Sequence, residues 1–381
     1  MHSPIKASPH IDYIDSLKLV MCYLIMLLHF TLAYFPDGFI GYGSKYPPAE
    51  RYQAFMDALP LSIFSNTTIH LFTFFILIAT LTTISFYNAK APYKTLQRQA
   101  IKRYFRFLLP VGAAILLTHY LHAFGFLDFK SVAQLNNSSW CAAIEPIAMP
   151  LPALLLHSFV QCYFENCGQV LTVVWCMYII FLGSMLTLAL LALFGNNRFR
   201  FLLYVASLPL LIIYPTYASF IFGIVCGDFY VHGLDNLTLK SNQQNMLGLV
   251  LITVGICIGI LPDVVLPKYI TTTYTCSLGA ALFILGVMLS PWLQRLLSMS
   301  FLVQQAKYTF SVLLVHIWVL FSVSLPLYQF FMSITTSSSL SFILAFAPCL
   351  IITQLLAIVF YHLFEKPSQS LANYVYKRWG N

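Results

Sequence analysis

The chain has 381 residues, of which 59% are hydrophobic and only 8% charged, with a mean hydropathy of +0.80. A soluble domain carries roughly a quarter charged residues, so this composition excludes a water-soluble enzyme and leaves a polytopic membrane protein. The formal net charge of +8 does not point to nucleic acid, because the basic residues lie between apolar runs, where membrane topology accounts for them.

Hydropathy predicts an all-α, single-domain bundle of about ten transmembrane helices. The spans fall at roughly 17–35, 64–87, 104–123, 170–194, 199–214, 216–230, 246–262, 269–290, 308–331 and 341–363. The first apolar run is too long for a signal-peptide core and has no clear cleavage site, so it is expected to remain as a span. The fifth and sixth are short and meet at Tyr214-Pro215-Thr216, as a tight hairpin would. Residues 147–164 are apolar but broken by Pro150 and Pro152, which suits a re-entrant or interfacial segment. With both termini cytoplasmic, sixteen of the twenty Lys and Arg fall on the inner side. That bias requires an even number of spans.

The first span carries Asp15, Lys18 and His29 in "DYIDSLKLVMCYLIMLLHF". At about 100° per residue, Asp15, Lys18, Cys22 and His29 lie within about 60° of one another on one stripe. Eleven residues separate Lys18 from His29, roughly 16 Å, so Lys18 is expected at the inner interface and His29 near the middle of the hydrocarbon. Ionisable residues at that depth normally face a protein interior or a wet cavity. The stripe therefore predicts a polar cleft opening to the cytoplasm. The plainer reading has Lys18 snorkelling and His29 making one interhelical hydrogen bond.

Between the second and third spans, "NAKAPYKTLQRQAIKRYFRFLLP" holds six basic residues and no acid. Part of this is the positive-inside signal. Arg103 and Arg106, three apart on the start of an apolar helix, suit phosphate better than plain solvation does, with Arg98 and Lys102 beside them. Acyl-CoA fits such a site, and anionic membrane lipids compete for it. Cys141, Cys162 and Cys167 fall in the large outer loop, where an oxidising compartment would permit one disulfide of unspecified pairing. No Cys/His spacing suggests a metal.

Taken in order, "YIDSLKLVMCYLIMLLHF", "HLFTFFILIATLTTISFY", "RQAIKRYFRFLLP", "KYTFSVLLVHIWVL" and "FEKP" resemble the membrane acyltransferase-3 family, which includes O-acyltransferases of surface polysaccharides and glucans. Lys18 stands where that family has Arg, and Ile78-Ala79 where it has Ser-Gly. The acid usual in the span near Trp175 is absent. The resemblance implies transfer of an acyl group, acetyl in the first instance, from cytosolic acyl-CoA to a hydroxyl of a glycan or lipid-linked glycan. No resident cofactor is implied beyond the acetyl-CoA donor. It further implies His29 as base or proton relay, Lys18 at the donor phosphate or thioester with Asp15 orienting it, and Arg98, Lys102, Arg103 and Arg106 at the donor. His316 would be a second polar residue in the cavity. Glu365 is expected only to help end the last span. A proton-coupled transporter and a catalytically inactive relative are the alternative readings.

Overall fold

The computed structural model describes residues 11–36, 67–135, 138–211, 214–261 and 271–379, which are predominantly helical, with no strand among them. The long helices are α1 (Asp12–Tyr34), α2 (Thr67–Tyr87), α3 (Pro92–Ala123), α4 (Met177–Phe194), α5 (Ala218–His232), α6 (Ser241–Gly259), α7 (Thr272–Leu289), α8 (Thr309–Ser322), α9 (Ser324–Thr335), α10 (Ser338–Phe360) and α11 (Lys366–Trp379). Seven helical stretches are long and apolar enough to cross a membrane, and α8 with α9 makes an eighth if that bent pair is one span. The protein is an integral membrane protein.

Two of the expected spans are shorter than hydropathy suggests. The described residues of 199–214 form the helix Arg200–Ser207 and a 3-10 turn Leu208–Leu211, and α5 has 15 residues. A single-chain hydropathy pattern does not separate apolar residues that face lipid from apolar residues that face a protein core. In α5 the core supplies them, since Phe220, Ile221, Ile224 and Cys226 are all buried. The segment around Pro150 and Pro152 is a nine-residue helix, Leu151–Phe159, followed by the 3-10 turn Gln161–Tyr163, short of spanning as expected.

Backbone chemistry explains the two irregular spans. The helix bends by 51° between α8 and α9, where Pro326 cannot donate to the Ser322 carbonyl. At the last span the Glu-Lys-Pro sequence does not end the helix, contrary to expectation. Pro367 cannot donate to the Leu363 carbonyl, and the chain widens into a π segment, Tyr361–Glu365, then continues as α11.

The core nearest the site comes from α1, α2, α3, α4, α8 and α10, through Met26, Phe30, Phe75, Val111, Ile180, Leu314 and Cys349. Away from it, α6 and α7 touch along their backbones. A Cβ on Gly255 would lie 2.5 Å from the Gly279 carbonyl oxygen, and one on Gly279 2.4 Å from that of Gly255. Only glycine permits that approach, the close packing small residues allow between membrane helices. A polar chain also joins distant parts of the sequence: the Tyr23 hydroxyl donates to Gln354, whose amide donates to Gln305 at 2.6 Å.

Candidate active site around His29 and His316

Helices α1 and α8 bring two histidines together from opposite ends of the chain. His29 Nδ1 lies 2.8 Å from His316 Nε2. The rings are parallel to within 4° with centroids 5.0 Å apart, the separation an in-plane N–H···N bond of that length produces. They therefore meet edge to edge rather than face to face.

The hydrogen bonds assign the protons. His316 Nδ1 is 3.1 Å from the Val312 carbonyl oxygen, which can only accept, so this nitrogen carries a hydrogen. In a neutral ring Nε2 is then an acceptor, and His29 Nδ1 must donate to it. That leaves the lone pair on His29 Nε2, which has no hydrogen-bond partner among the described residues. His29 is only half-buried, whereas His316 is fully buried. The geometry makes His316 the orienting partner and His29 the ring with a free basic nitrogen.

Trp140 covers the pair from the loop side. Its ring is parallel to His29 within 10° at 5.2 Å between centroids. It stands on the short helix Ser139–Ala143, capped by Ser138, whose hydroxyl accepts from Cys141 N and donates to the Leu32 carbonyl at 2.8 Å. Ser138 thereby fastens the loop to α1 one turn beyond His29. Sequence reading missed Trp140, because nothing in its neighbourhood marks it before the loop folds back.

The depth of the site follows from contacts between helices. Phe30 meets Phe346 of α10 edge-on at 5.1 Å, so His29 lies about eight residues, roughly 12 Å, from the Ser338 end of α10. Lys18 lies about 16 Å the other way along α1. Together these distances make up roughly the 30 Å of a hydrocarbon core, with the histidine pair near its middle.

Along α1 the polar stripe is real but interrupted. Asp15 and Lys18 form an ion pair, with exposures of 17% and 21%. Cys22, between them and His29, is fully buried among Ile25 and Met26. The expected continuous polar cleft along this stripe is therefore closed by packing at Cys22. Lys18 is too far from His29 for both to act on one carbonyl.

The four basic candidates on α3 split between two directions. Arg98 and Lys102 turn to α11: they lie 5.8 and 5.3 Å from the Tyr376 ring centre, and Lys102 donates to Asn373. Both serve to dock that helix, a use the sequence did not reveal. Arg103 turns inward, with Nη2 at 3.4 Å from Thr82 Oγ1 of α2 and Nε buried without a partner among the described residues. Arg106 is exposed and lies within electrostatic reach of Arg103 and of Glu365. Glu365 is the only fully charged residue type buried among the described residues. It accepts from Ser311 Oγ at 2.8 Å and from Gln369 at 3.2 Å. Ser311 is five residues before His316 on α8, so the π segment carries a carboxylate to the region below the histidines.

Helices α3 and α8 run side by side. Phe107 packs on Phe310 at 5.2 Å, and Trp318 Nε1 donates to Thr118 at 2.7 Å. By these two registers Arg103 lies ten to thirteen residues below His316, roughly 15–20 Å. No hydrogen bond or ion pair joins Arg103 to Lys18 or His29 among the described residues.

The loop cysteines are not activated thiols. Cys141, Cys162 and Cys167 are buried free thiols rather than a disulfide. Burial pushes the Cys141 thiol up to about 12 and the Cys167 thiol up to about 11, so both stay protonated near neutral pH. No group of three metal-ligating side chains occurs among the described residues. Comparison of the chain with protein-family models, with curated proteins and with solved structures finds no match.

Proposed function

We propose that the protein is a membrane O-acyltransferase that moves an acyl group, acetyl in the first instance, from cytosolic acyl-CoA to a hydroxyl of a glycan or lipid-linked glycan. The observation that carries this reading is a hydrogen-bonded histidine pair in mid-membrane with one free basic nitrogen, roughly 15–20 Å above an inward-facing arginine. That interval suits a donor with phosphates at one end and a thioester at the other, which the extended pantetheine arm of CoA can span. In this arrangement Arg103, with Arg106 beside it, binds phosphate, and Lys18 adds positive charge at a similar depth with Asp15 holding it in place.

The transfer step follows from the proton assignment. His29 Nε2 takes the proton from the acceptor hydroxyl as its oxygen attacks the thioester carbonyl carbon. The new C–O bond forms, the C–S bond breaks, and the proton on His29 passes to the departing CoA sulfur. While His29 is doubly protonated, its Nδ1–H stays on Nε2 of His316, whose own Nδ1–H is held by the Val312 carbonyl. Trp140 keeps the ring in plane and water away from the loop side.

For topology we read ten spans with both termini in the cytoplasm of a bacterial inner membrane. Residues 199–214 and α5 supply the two short members. The five motifs in family order and the placement of basic residues support this.

Purified protein in nanodiscs tests the reading. Wild type is expected to bind acetyl-CoA and hydrolyse it slowly. His29→Ala should bind but not turn over, and Arg103→Ala/Arg106→Ala should lose binding. A folded wild type that neither binds nor hydrolyses acetyl-CoA would overturn the enzyme reading, and proton-driven uptake into vesicles would then identify a transporter.

A further inference from the structure

At the end of the bundle where α1 begins, a cavity of about 430 Å³ lies between the ends of α2, α5 and α7 and the beginnings of α1 and α6. It is distinct from the histidine site: Tyr13, which lines it, stands on the opposite side of α1 from Asp15, about 160° around the helix. Its volume falls within the range of small-molecule sites. Polar lining comes from Tyr13, Asn88, Tyr230, Gln244 and Gln294, and no Asp, Glu, Lys or Arg among the described residues lines it.

Hydrogen-bond accounting shows what this lining leaves free. Gln244 Nε2 donates to the Leu239 carbonyl at 3.2 Å, and Gln294 Nε2 donates to the Met288 carbonyl at 2.5 Å. Each amide is thus anchored by its nitrogen, leaving its oxygen as an acceptor. Tyr13 is only 8% exposed, and its hydroxyl faces the Tyr230 phenol with no other partner among the described residues. A phenol both donates and accepts, so the pair keeps hydrogen-bonding capacity to offer a ligand. Asn88 is exposed, so the cavity reaches the surface there.

We propose that this cavity binds a neutral, hydroxyl-rich group: a sugar or polyol, either free or as a lipid headgroup. Amide oxygens accept from its hydroxyls, and the phenols both donate and accept. Without a lining charge, a phosphate or an ammonium gains nothing there that water does not offer. The proposal does not depend on acyl transfer at His29.

The test compares wild type, Tyr13→Phe and Asn88→Ala in nanodiscs. The probes are galactosyl diacylglycerol doped into the bilayer, free glucose in the buffer, and phosphatidylglycerol as the anionic control. Retained lipid is read by native mass spectrometry, and glucose binding by the shift in thermal midpoint. Wild type is expected to retain the galactolipid over phosphatidylglycerol or to be stabilised by glucose, and which of the two occurs identifies the source. Tyr13→Phe should weaken binding about tenfold with little change in the ligand-free midpoint. Asn88→Ala should weaken binding with little change in the ligand-free midpoint. Two outcomes would overturn the proposal. One is no preference over phosphatidylglycerol together with no effect of glucose. The other is a Tyr13→Phe protein that is less stable and binds as wild type does, which would show that the hydroxyl has a structural partner.

Discussion

Two histidines in this molecule meet opposite fates. His29, in mid-bundle, is hydrogen-bonded to another histidine and, among the described residues, to no carboxylate. His232, at the end of α5, lies 2.7 Å from Asp228, which also takes two hydrogen bonds of 2.8 Å from Arg200. Arg200 in turn lies 5.3 Å from the Tyr87 ring centre. His232 is 46% exposed, so water shares the cost of that cluster's charge. Where water reaches, the chain uses full charges in a closed network that leaves little to react. At mid-bundle the chain uses a pair of neutral rings, and the proton order on those rings leaves one base unspent.

The largest effect expected from this contrast is at His29. His29→Ala should lower acetyl-CoA turnover by about 10²–10⁴-fold, the usual worth of a positioned base, with the thermal midpoint little changed. His316→Ala should lower it by less and shift the pH profile, since His29 keeps its basic nitrogen but loses the partner for Nδ1. Equal loss in both variants would mean that the two rings act as one unit. At the charged cluster the prediction reverses. Asp228→Ala should cost about 2–3 kcal/mol of stability, through lost hydrogen bonds to charged groups, and leave turnover per folded molecule unchanged. A drop in turnover at matched folded fraction would make that cluster functional rather than structural.

A smaller effect is expected at Trp140. Trp140→Ala removes the ring beside His29 and should lower kcat about tenfold with KM nearly constant, because the base is less well held. Trp140→Phe should restore most of it. Failure of the phenylalanine variant would point to the indole N–H instead of the ring face.

How much of this was legible in sequence differs from residue to residue. Angular position on one helix is a local property, so the stripe of Asp15, Lys18 and His29 could be read directly, and the ion pair between the first two follows from it. His316 stood out as an ionisable residue within an apolar run, but its contact with His29 spans 287 residues and no periodicity encodes that. The closure of the stripe at Cys22 was illegible for the same reason, since it depends on what packs against α1. Glu365 was misjudged because a proline two residues on normally signals an end, and only the fold shows the helix widening and continuing. The short sixth span shows the limit of hydropathy when a protein core supplies the apolar surroundings, since Phe220, Ile221 and Ile224 are buried.

The basic helix α3 allows the finest test of the comparison. Arg98 and Lys102 are four residues apart and share the α11 side, whereas Arg103, one residue further on, is turned about 100° away toward α2. Positive charge alone would make all four equivalent at a donor phosphate; geometry makes them unequal. Arg98→Ala/Lys102→Ala should cost only about 0.5–1 kcal/mol of stability, as exposed cation–π contacts do, by loosening α11. Its acetyl-CoA affinity should stay within about twofold of wild type, while Arg103→Ala alone loses at least tenfold. The measurement is a salt titration of acetyl-CoA binding for both proteins. If both variants lose affinity in proportion to the charge removed, the donor sees a diffuse basic surface. Arg103 would then be one cation among four, and its inward turn toward Thr82 would belong to packing.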